Sequence, residues 1–302
     1  MELVAPTANA TPNTASGASA SASANVTVCD GENVTVFPDN SDAALVNPSM
    51  GWTHYCYGNR LWAYGAHLLP SETLDWFPGL SSIYFKLYWS DLEPEEGQFR
   101  WDVIDSYAQP WVAAGRQLCF RIATCDHRHP YGTPKWVYDA GAKGFRFGKD
   151  GMEPLEYSDP VYLEKLENFV AAMGRRYDGR PEVAFVEVGS FGLWGEGHTV
   201  MTSHLSQEKT DEIFKKHVAI YRKHFPHTLL CVSDDVAGNA NPGPEFPIMD
   251  FARSQGVTMR DDSIMVSRNP PWFHANMAQR FWPTMPVVME HEHWGLSRSR
   301  GA

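Results

Sequence analysis

Along much of this chain, hydrophobic and polar positions fall into short runs of strand character separated by longer runs of helical period. From Ser81 to Trp89, Ile83, Phe85 and Leu87 lie on one side of an extended chain and Tyr84, Lys86 and Tyr88 on the other. Further strand-like runs are Gln117 to Thr124, Val183 to Val186, Thr228 to Ser233, Val257 to Arg260 and Pro286 to Glu290. Asn47-Pro48-Ser49-Met50-Gly51-Trp52 enters the first strand of the series, after short strand-like pieces at Val26 to Val28 and Val34 to Phe37. Between them come helical stretches. Asp102 to Gly115 holds Pro110, expected to kink or shift it. The next carries Leu163, Leu166, Phe169, Val170, Met173 and Tyr177 at helical spacing, with Ser158 or Asp159 as cap and Pro160 in the first turn. Another carries Ile213, Phe214, His217, Val218 and Tyr221 and stops at Phe225-Pro226. A long loop is expected over Cys125 to Tyr157.

Strands alternating with helices imply a parallel sheet. Polar and aromatic residues gather after the strands rather than before them, as in a (β/α)8 TIM barrel, whose sites lie at the C-terminal strand ends. A doubly wound sheet is the alternative, but the glycine-rich phosphate turn expected after its first strand is absent. Seven barrel strands are counted, and the eight residues after Trp294 are too few for an eighth strand and helix. The expectation is an α/β TIM barrel truncated after strand seven, spanning residues 26–302, behind a disordered Ala/Ser/Thr-rich leader over residues 1–25.

Composition narrows the functional classes. A net charge of −11 argues against a nucleic-acid partner. No apolar run approaches the roughly 18 residues of a membrane span. The leader shows no basic and apolar signal-peptide pattern, yet low-complexity leaders of this kind often follow a removed signal, so a secreted or periplasmic location is expected. The five cysteines form no CxxC pair, and no cofactor is expected. Cys119, Cys125 and Cys231 fall in apolar runs and read as inert; Cys29 and Cys56 could form a disulfide. The 11 tryptophans first suggest core packing, but an indole face also suits the apolar face of a sugar ring.

The chemistry concentrates in Glu187-Val-Gly-Ser-Phe-Gly-Leu-Trp194-Gly-Glu196-Gly-His198, where four glycines interrupt the chain after a strand. Glu196 is either a loop carboxylate capping backbone amides or a reacting group. Glu290, at the end of strand seven, is either an ion-pair partner, with Arg260 or Arg128, or the second reacting group; Glu292 is its substitute. Glu187 lies within strand four, where Arg121 of the neighbouring strand can neutralise it. His127/His129 and His291/His293 are paired histidines of a kind that metal-dependent barrels use with carboxylates such as Asp261; the alternative is a polar mouth that bonds hydroxyls. Trp89, Trp136, Trp194 and Trp294 follow four different strands.

Trp89-x-x-Leu-Glu-Pro-Glu-Glu-Gly-Gln-Phe-Arg-Trp101 resembles the second-strand signature of clan A glycoside hydrolases, especially bacterial β-galactosidase-like barrels, which carry W-x-x-x-x-P-x-E-G-x-(Y/F)-x-W/F. Asn47-Pro48-x-x-Gly51-Trp52 and Gly192-Leu-Trp-Gly-Glu-Gly-His198 are similar to a group of secreted barrels with a G-x-W-G-E-W-H-like signature. The resemblance spans Asn47 to Trp294. It implies a two-carboxylate glycoside hydrolase, with an acid/base Glu after Asn at the end of strand four and a nucleophilic Glu at the end of strand seven. This chain departs from the pattern: Ser190-Phe191 stands where Asn-Glu is expected, and the nearest carboxylate beyond is Glu196, five residues on.

The expected catalytic pair is therefore Glu196 as acid/base and Glu290 as nucleophile, acting with retention on a poly- or oligosaccharide. Trp89, Arg121, Asp126, His129, Trp194, His198, Arg260, Asp261, His291 and Trp294 are the expected substrate-binding residues. A non-catalytic carbohydrate-binding barrel and a metal-dependent hydrolase are the competing functions.

Overall fold

In the larger of the chain's two units every strand pairs, in parallel, with the strand that follows it in sequence. The order is β3 (Trp52–Tyr57), β4 (Leu80–Tyr88), β5 (Gln117–Ala123), β6 (Val183–Glu187), β7 (Leu229–Ser233), β8 (Val257–Ile264) and β9 (Val288–His291). An order that never reverses keeps the crossover helices on one face of the sheet, and a twisted sheet so covered curls into a barrel. A doubly wound sheet needs a reversal point, and the order has none. β3 and β9 are the two ends of the order.

The computed structural model describes residues 25–28, 34–37, 47, 50–57, 72–127, 129, 131–144, 156–238, 245–264 and 275–291. The two units are Met1–Leu45 and Val46–Ala302. In the first, β1 (Asn25–Val28) and β2 (Val34–Phe37) form an antiparallel pair, with Asn25 opposite Phe37. The leader lies outside the described residues up to Asn25, which begins β1.

The connecting helices of the larger unit are α1 (Trp89–Leu92), α2 (Asp102–Ala113), α3 (Lys135–Asp139), α4 (Pro160–Tyr177), α5 (Gln207–His224), α6 (Pro247–Ser254) and α7 (Ala275–Phe281). Pro110 does not break α2: it sits in the last turn, where little of the hydrogen-bond ladder remains to be lost. Asp159 is the cap of α4, its Oδ1 accepting from the amides of Val161 at 2.9 Å and Tyr162 at 3.0 Å. The expected loop from Cys125 to Tyr157 contains α3, a single turn too short to show a period. β8 runs on to Ile264, so Asp261 and Asp262 lie within the strand and not after it.

Strand alternation builds two layers. Ile83, Phe85, Leu87, Phe120, Ile122, Val186, Val232 and Met259 face the helices and pack into the main core with Leu166, Phe169, Phe214 and Tyr221. Each such side chain, fully buried, contributes about 1.5–3 kcal/mol. The opposite face carries a small apolar layer of Tyr84, Cys119, Phe185 and Cys231. Cys119, Cys125 and Cys231 are free and buried; Cys56 is buried too, and Cys29, its expected partner, lies outside the described residues. Burial pushes the Cys119 and Cys125 thiols up to about 12, which keeps them inert.

His217 of α5 ties this scaffold to the end of β6. Its Nε2 bonds the Tyr157 carbonyl at 2.9 Å and its Nδ1 meets Ser190 Oγ at 2.8 Å. A carbonyl only accepts, so Nε2 carries the proton and Nδ1 accepts from the Ser190 hydroxyl. Burial lowers the ring to about 4. The unfolded chain then binds a proton that the folded chain refuses between about 6.5 and 4, so this stability is full above 6.5 and is lost as pH falls. Relative to His217→Gln, the wild type should lose about 2 kcal/mol more between pH 7 and pH 5, measured as urea unfolding free energies.

Candidate active site

Toward the C-terminal ends of the strands the inner face turns from apolar to charged. β5 and β6 place Arg121 beside Glu187 in register, as expected for neighbouring strands. The two charges lie 3.6 Å apart, at 1% and 0% exposure. Arg260 of β8 reaches the same carboxylate, its Nε 3.1 Å from Glu187 Oε1 and 3.2 Å from Oε2. Tyr84 of β4 donates its hydroxyl to Glu187 Oε2. A buried carboxylate needs such partners, and Glu187 has two guanidiniums and a phenol.

The same guanidiniums continue outward. Arg260 Nη1 donates to Glu290 Oε2. Arg121 Nη1 donates to Glu196 Oε1 at 2.8 Å, and Arg260 Nη2 lies 3.6 Å from that oxygen. Glu196 Oε2 is turned toward His198 Nε2, 3.9 Å away. Arg121 Nη2 donates to the Tyr55 hydroxyl at 2.7 Å. Glu196 and Glu290 thus meet on the two terminal nitrogens of one guanidinium. Two contacts and the width of that group hold their nearest oxygens within the upper limit of about 9.5 Å for paired glycosidase carboxyls.

Glu196 reaches this position through the glycine loop. Gly192 and Gly195 take positive φ of 80° and 78°. A Cβ on Gly192 would lie 2.7 Å from the Gly197 backbone, and one on Gly195 would lie 2.6 Å from the Gly189 carbonyl. Only glycine folds the chain back this tightly. Trp194 between them is also left-handed, at φ 57°, an uncommon conformation for a large side chain. Its Nε1 donates to His127 Nδ1 at 3.0 Å, and its ring meets those of His127 and His198 edge-on at 5.3 Å. This leaves a half-buried indole at the mouth beside Glu196.

Asp126, just beyond β5, is buried under a second pair. Lys86 Nζ lies 2.8 Å and the Tyr88 hydroxyl 2.7 Å from its Oδ2. Burial lowers the Lys86 ammonium to about 8 against the opposing pull of Asp126. His129 lies over the Tyr88 ring at 4.2 Å and is half-buried.

Arg121, Asp126, His129, Trp194, His198, Arg260, Glu196 and Glu290 therefore surround one inner face and its rim. Two expected binding residues do not. Trp89 is fully buried, its Nε1 bonded to Glu93 at 2.7 Å and its ring packed against Trp136, Tyr162 and Phe169. It follows a strand but opens α1, which turns it into the helix core and away from any sugar. Asp261 is fully buried, and alternation along β8 sends it to the face opposite Arg260. The His291 side chain, Trp294, Arg128, Glu292 and His293 lie outside the described residues. Ser190 and Phe191, where the family pattern expects Asn-Glu, are both fully buried. Phe191 packs against Tyr157 and Phe214, so the side chain at that position belongs to the helix-facing core.

Tyr84, Lys86 and Tyr88 were not among the expected site residues. Their shared position opposite Ile83, Phe85 and Leu87 was the signal: a polar strand face needs a polar interior. Asp235 was also missed. It lies in the 3-10 turn Asp234–Ala237 after β7 and, with Glu196 and His198, offers ligand atoms all within 4.8 Å of one another.

Residues 82–192 match the family model described as Beta-galactosidase (Glyco_hydro_42). The matched stretch holds Arg121 and Glu187 and ends before Glu196. The chain is 21% identical over 229 residues to a beta-galactosidase of Xanthomonas manihotis, covering 72% of this chain and 33% of that protein. It is 28% identical over 114 residues to a beta-galactosidase of Thermus thermophilus, covering 35% and 17%. The chain spans a third or less of the length of these curated relatives. Among solved structures, the beta-galactosidase of the psychrophilic Marinomonas ef1 aligns with a TM-score of 0.43 at 13% identity, covering 80% of this chain and 54% of that one. Among the described residues no helix is long and apolar enough to cross a membrane.

The Lys86–Asp126 pair yields a stability prediction. Asp126→Asn removes the carboxylate that keeps the buried Lys86 charged and should cost about 3–5 kcal/mol at pH 7. Adding Lys86→Met to that variant should recover most of the loss, both read from urea unfolding.

Proposed function

We propose that this chain hydrolyses glycosidic bonds by a two-carboxylate mechanism with retention, Glu290 acting as nucleophile and Glu196 as acid/base. The observation that carries the reading is the meeting of both carboxylates on Arg260 at the strand-end mouth. In the first step Glu290 attacks the anomeric carbon while Glu196 protonates the departing oxygen. In the second, Glu196 takes a proton from water, which displaces the sugar from Glu290. Arg260 stabilises negative charge on Glu290, the form a nucleophile needs. Glu196 Oε1 faces both guanidiniums, so Oε2, on the His198 side, is the oxygen that carries the transferable proton. Trp194 offers an indole face to the sugar, with His129 and His198 as hydroxyl partners.

The match over residues 82–192 and the names of the relatives make a β-galactoside the first substrate to try. A secreted or periplasmic location is part of the proposal and rests on the leader's composition. A second reading, metal-assisted hydrolysis, is favoured by the Glu196–His198–Asp235 trio, which would have to draw together to ligate an ion at about 2.0–2.2 Å.

On an aryl β-galactoside, Glu290→Gln should lower turnover by about 10³-fold or more, and unchanged turnover would remove Glu290 from the mechanism. Glu196→Gln should cost about 10²–10⁴-fold on a disaccharide and much less on a dinitrophenyl glycoside, whose leaving group needs no proton. Wild-type protein that binds galactosides without cleaving them would put the non-catalytic barrel first. Activity lost on exhaustive chelation and regained with added zinc would favour the metal reading.

A further inference from the structure

We infer that Glu187 is a positioning residue: it sets the two guanidiniums that in turn aim Glu196 and Glu290 at the substrate. The inference rests on the proposed hydrolase reading for its catalytic consequence, but not for its geometry. Glu187 is completely buried, so its carboxylate offers no surface to a substrate. Arg260 spends its Nε on Glu187 and its Nη1 on Glu290. Arg121 Nη1 lies 3.6 Å from Glu187 and 2.8 Å from Glu196. Arg260 is thus a rigid planar link from Glu187 to Glu290, and Arg121 places a single nitrogen, Nη1, between Glu187 and Glu196 while its Nη2 is held by Tyr55. Two buried guanidiniums side by side repel, and Glu187 is the charge between them.

The arrangement gives Glu187 an electrostatic as well as a geometric role. Two guanidiniums are shared among three carboxylates, so Glu187 competes with Glu196 and Glu290 for positive charge. The groups facing Glu187 are Tyr84 from β4, Cys119 and Arg121 from β5, Cys231 from β7, Arg260 from β8 and Tyr221 from α5. Only the two arginines among these are cationic. Removing the charge of Glu187 therefore frees positive potential for the outer pair, which stabilises their ionised forms. A residue that merely filled space would change stability and leave those ionisations alone.

The test is a ¹³C NMR titration of the Glu290 carboxyl in the full chain, assigned with Glu290→Gln. In Glu187→Gln its midpoint should fall by roughly half to one pH unit. On an aryl β-galactoside, kcat should fall about 10²-fold, the cost of a misplaced reacting group, with KM changed little and the pH–rate profile moved to lower pH. A Glu290 midpoint that stays where it is in the wild type overturns the inference. If Glu187→Gln does not fold, Glu187→Asp decides: it keeps the charge but draws the guanidiniums inward, so the Glu290 midpoint should rise, and an unmoved midpoint again overturns it. A wild type that cleaves no glycoside sinks the hydrolase reading while the titration still reads Glu187; a wild type that cleaves, with the midpoint unmoved in the variant, sinks the positioning role alone.

Discussion

The burial of Glu187 between Arg121 and Arg260 is the constraint on which the rest of the inner face depends. Three fully buried charges in a protein interior are costly unless each is neutralised and hydrogen-bonded. The barrel meets that condition by drawing the partners from different strands: the carboxylate from β6, the cations from β5 and β8, and a phenol from β4. No local segment could do this, because alternation puts only every second residue of a strand on the inner face. The terminal nitrogens of the two guanidiniums also reach Glu196 and Glu290: Arg260 turns Nη1 to Glu290, and Arg121 Nη1 lies between Glu187 and Glu196.

Around that network the two layers divide the work. The helix-facing layer is continuous and apolar, and it supplies the free energy that the polar interior costs. The inner layer changes character along the strands, from Tyr84, Cys119, Phe185 and Cys231 to Lys86, Arg121, Glu187 and Arg260. The glycine loop after β6 then folds over the rim. Its positive-φ glycines and the left-handed Trp194 bring a carboxylate back over Arg121, five residues beyond the position where the family pattern places one.

Much of this was legible along the chain. The strand and helix periods, the parallel order and the asymmetry of polar residues all pointed to the barrel, and the structure has that strand order. The pairing of Glu187 with Arg121 followed from their places in adjacent strands. What failed did so for identifiable reasons. Trp89 follows a strand yet belongs to a helix, and its indole turns inward. Asp261 seemed to follow a strand that in fact continues through it. α3 is one turn long and leaves no period to detect.

By itself, then, the sequence determined which residues share a strand face, where helices start, and that a chain rich in alternating strands and amphipathic helices forms a parallel barrel. Those properties depend on neighbours within a few residues, where spacing translates directly into direction. Which carboxylates share a cation was decided only by the tertiary structure. Arg260 bonds residues 73 and 30 positions away in the chain, and Arg121 bonds one 75 positions away. Contacts of that separation depend on strand register, on the curl of the sheet and on the backward fold of one glycine loop. None of these has a periodic trace in the sequence.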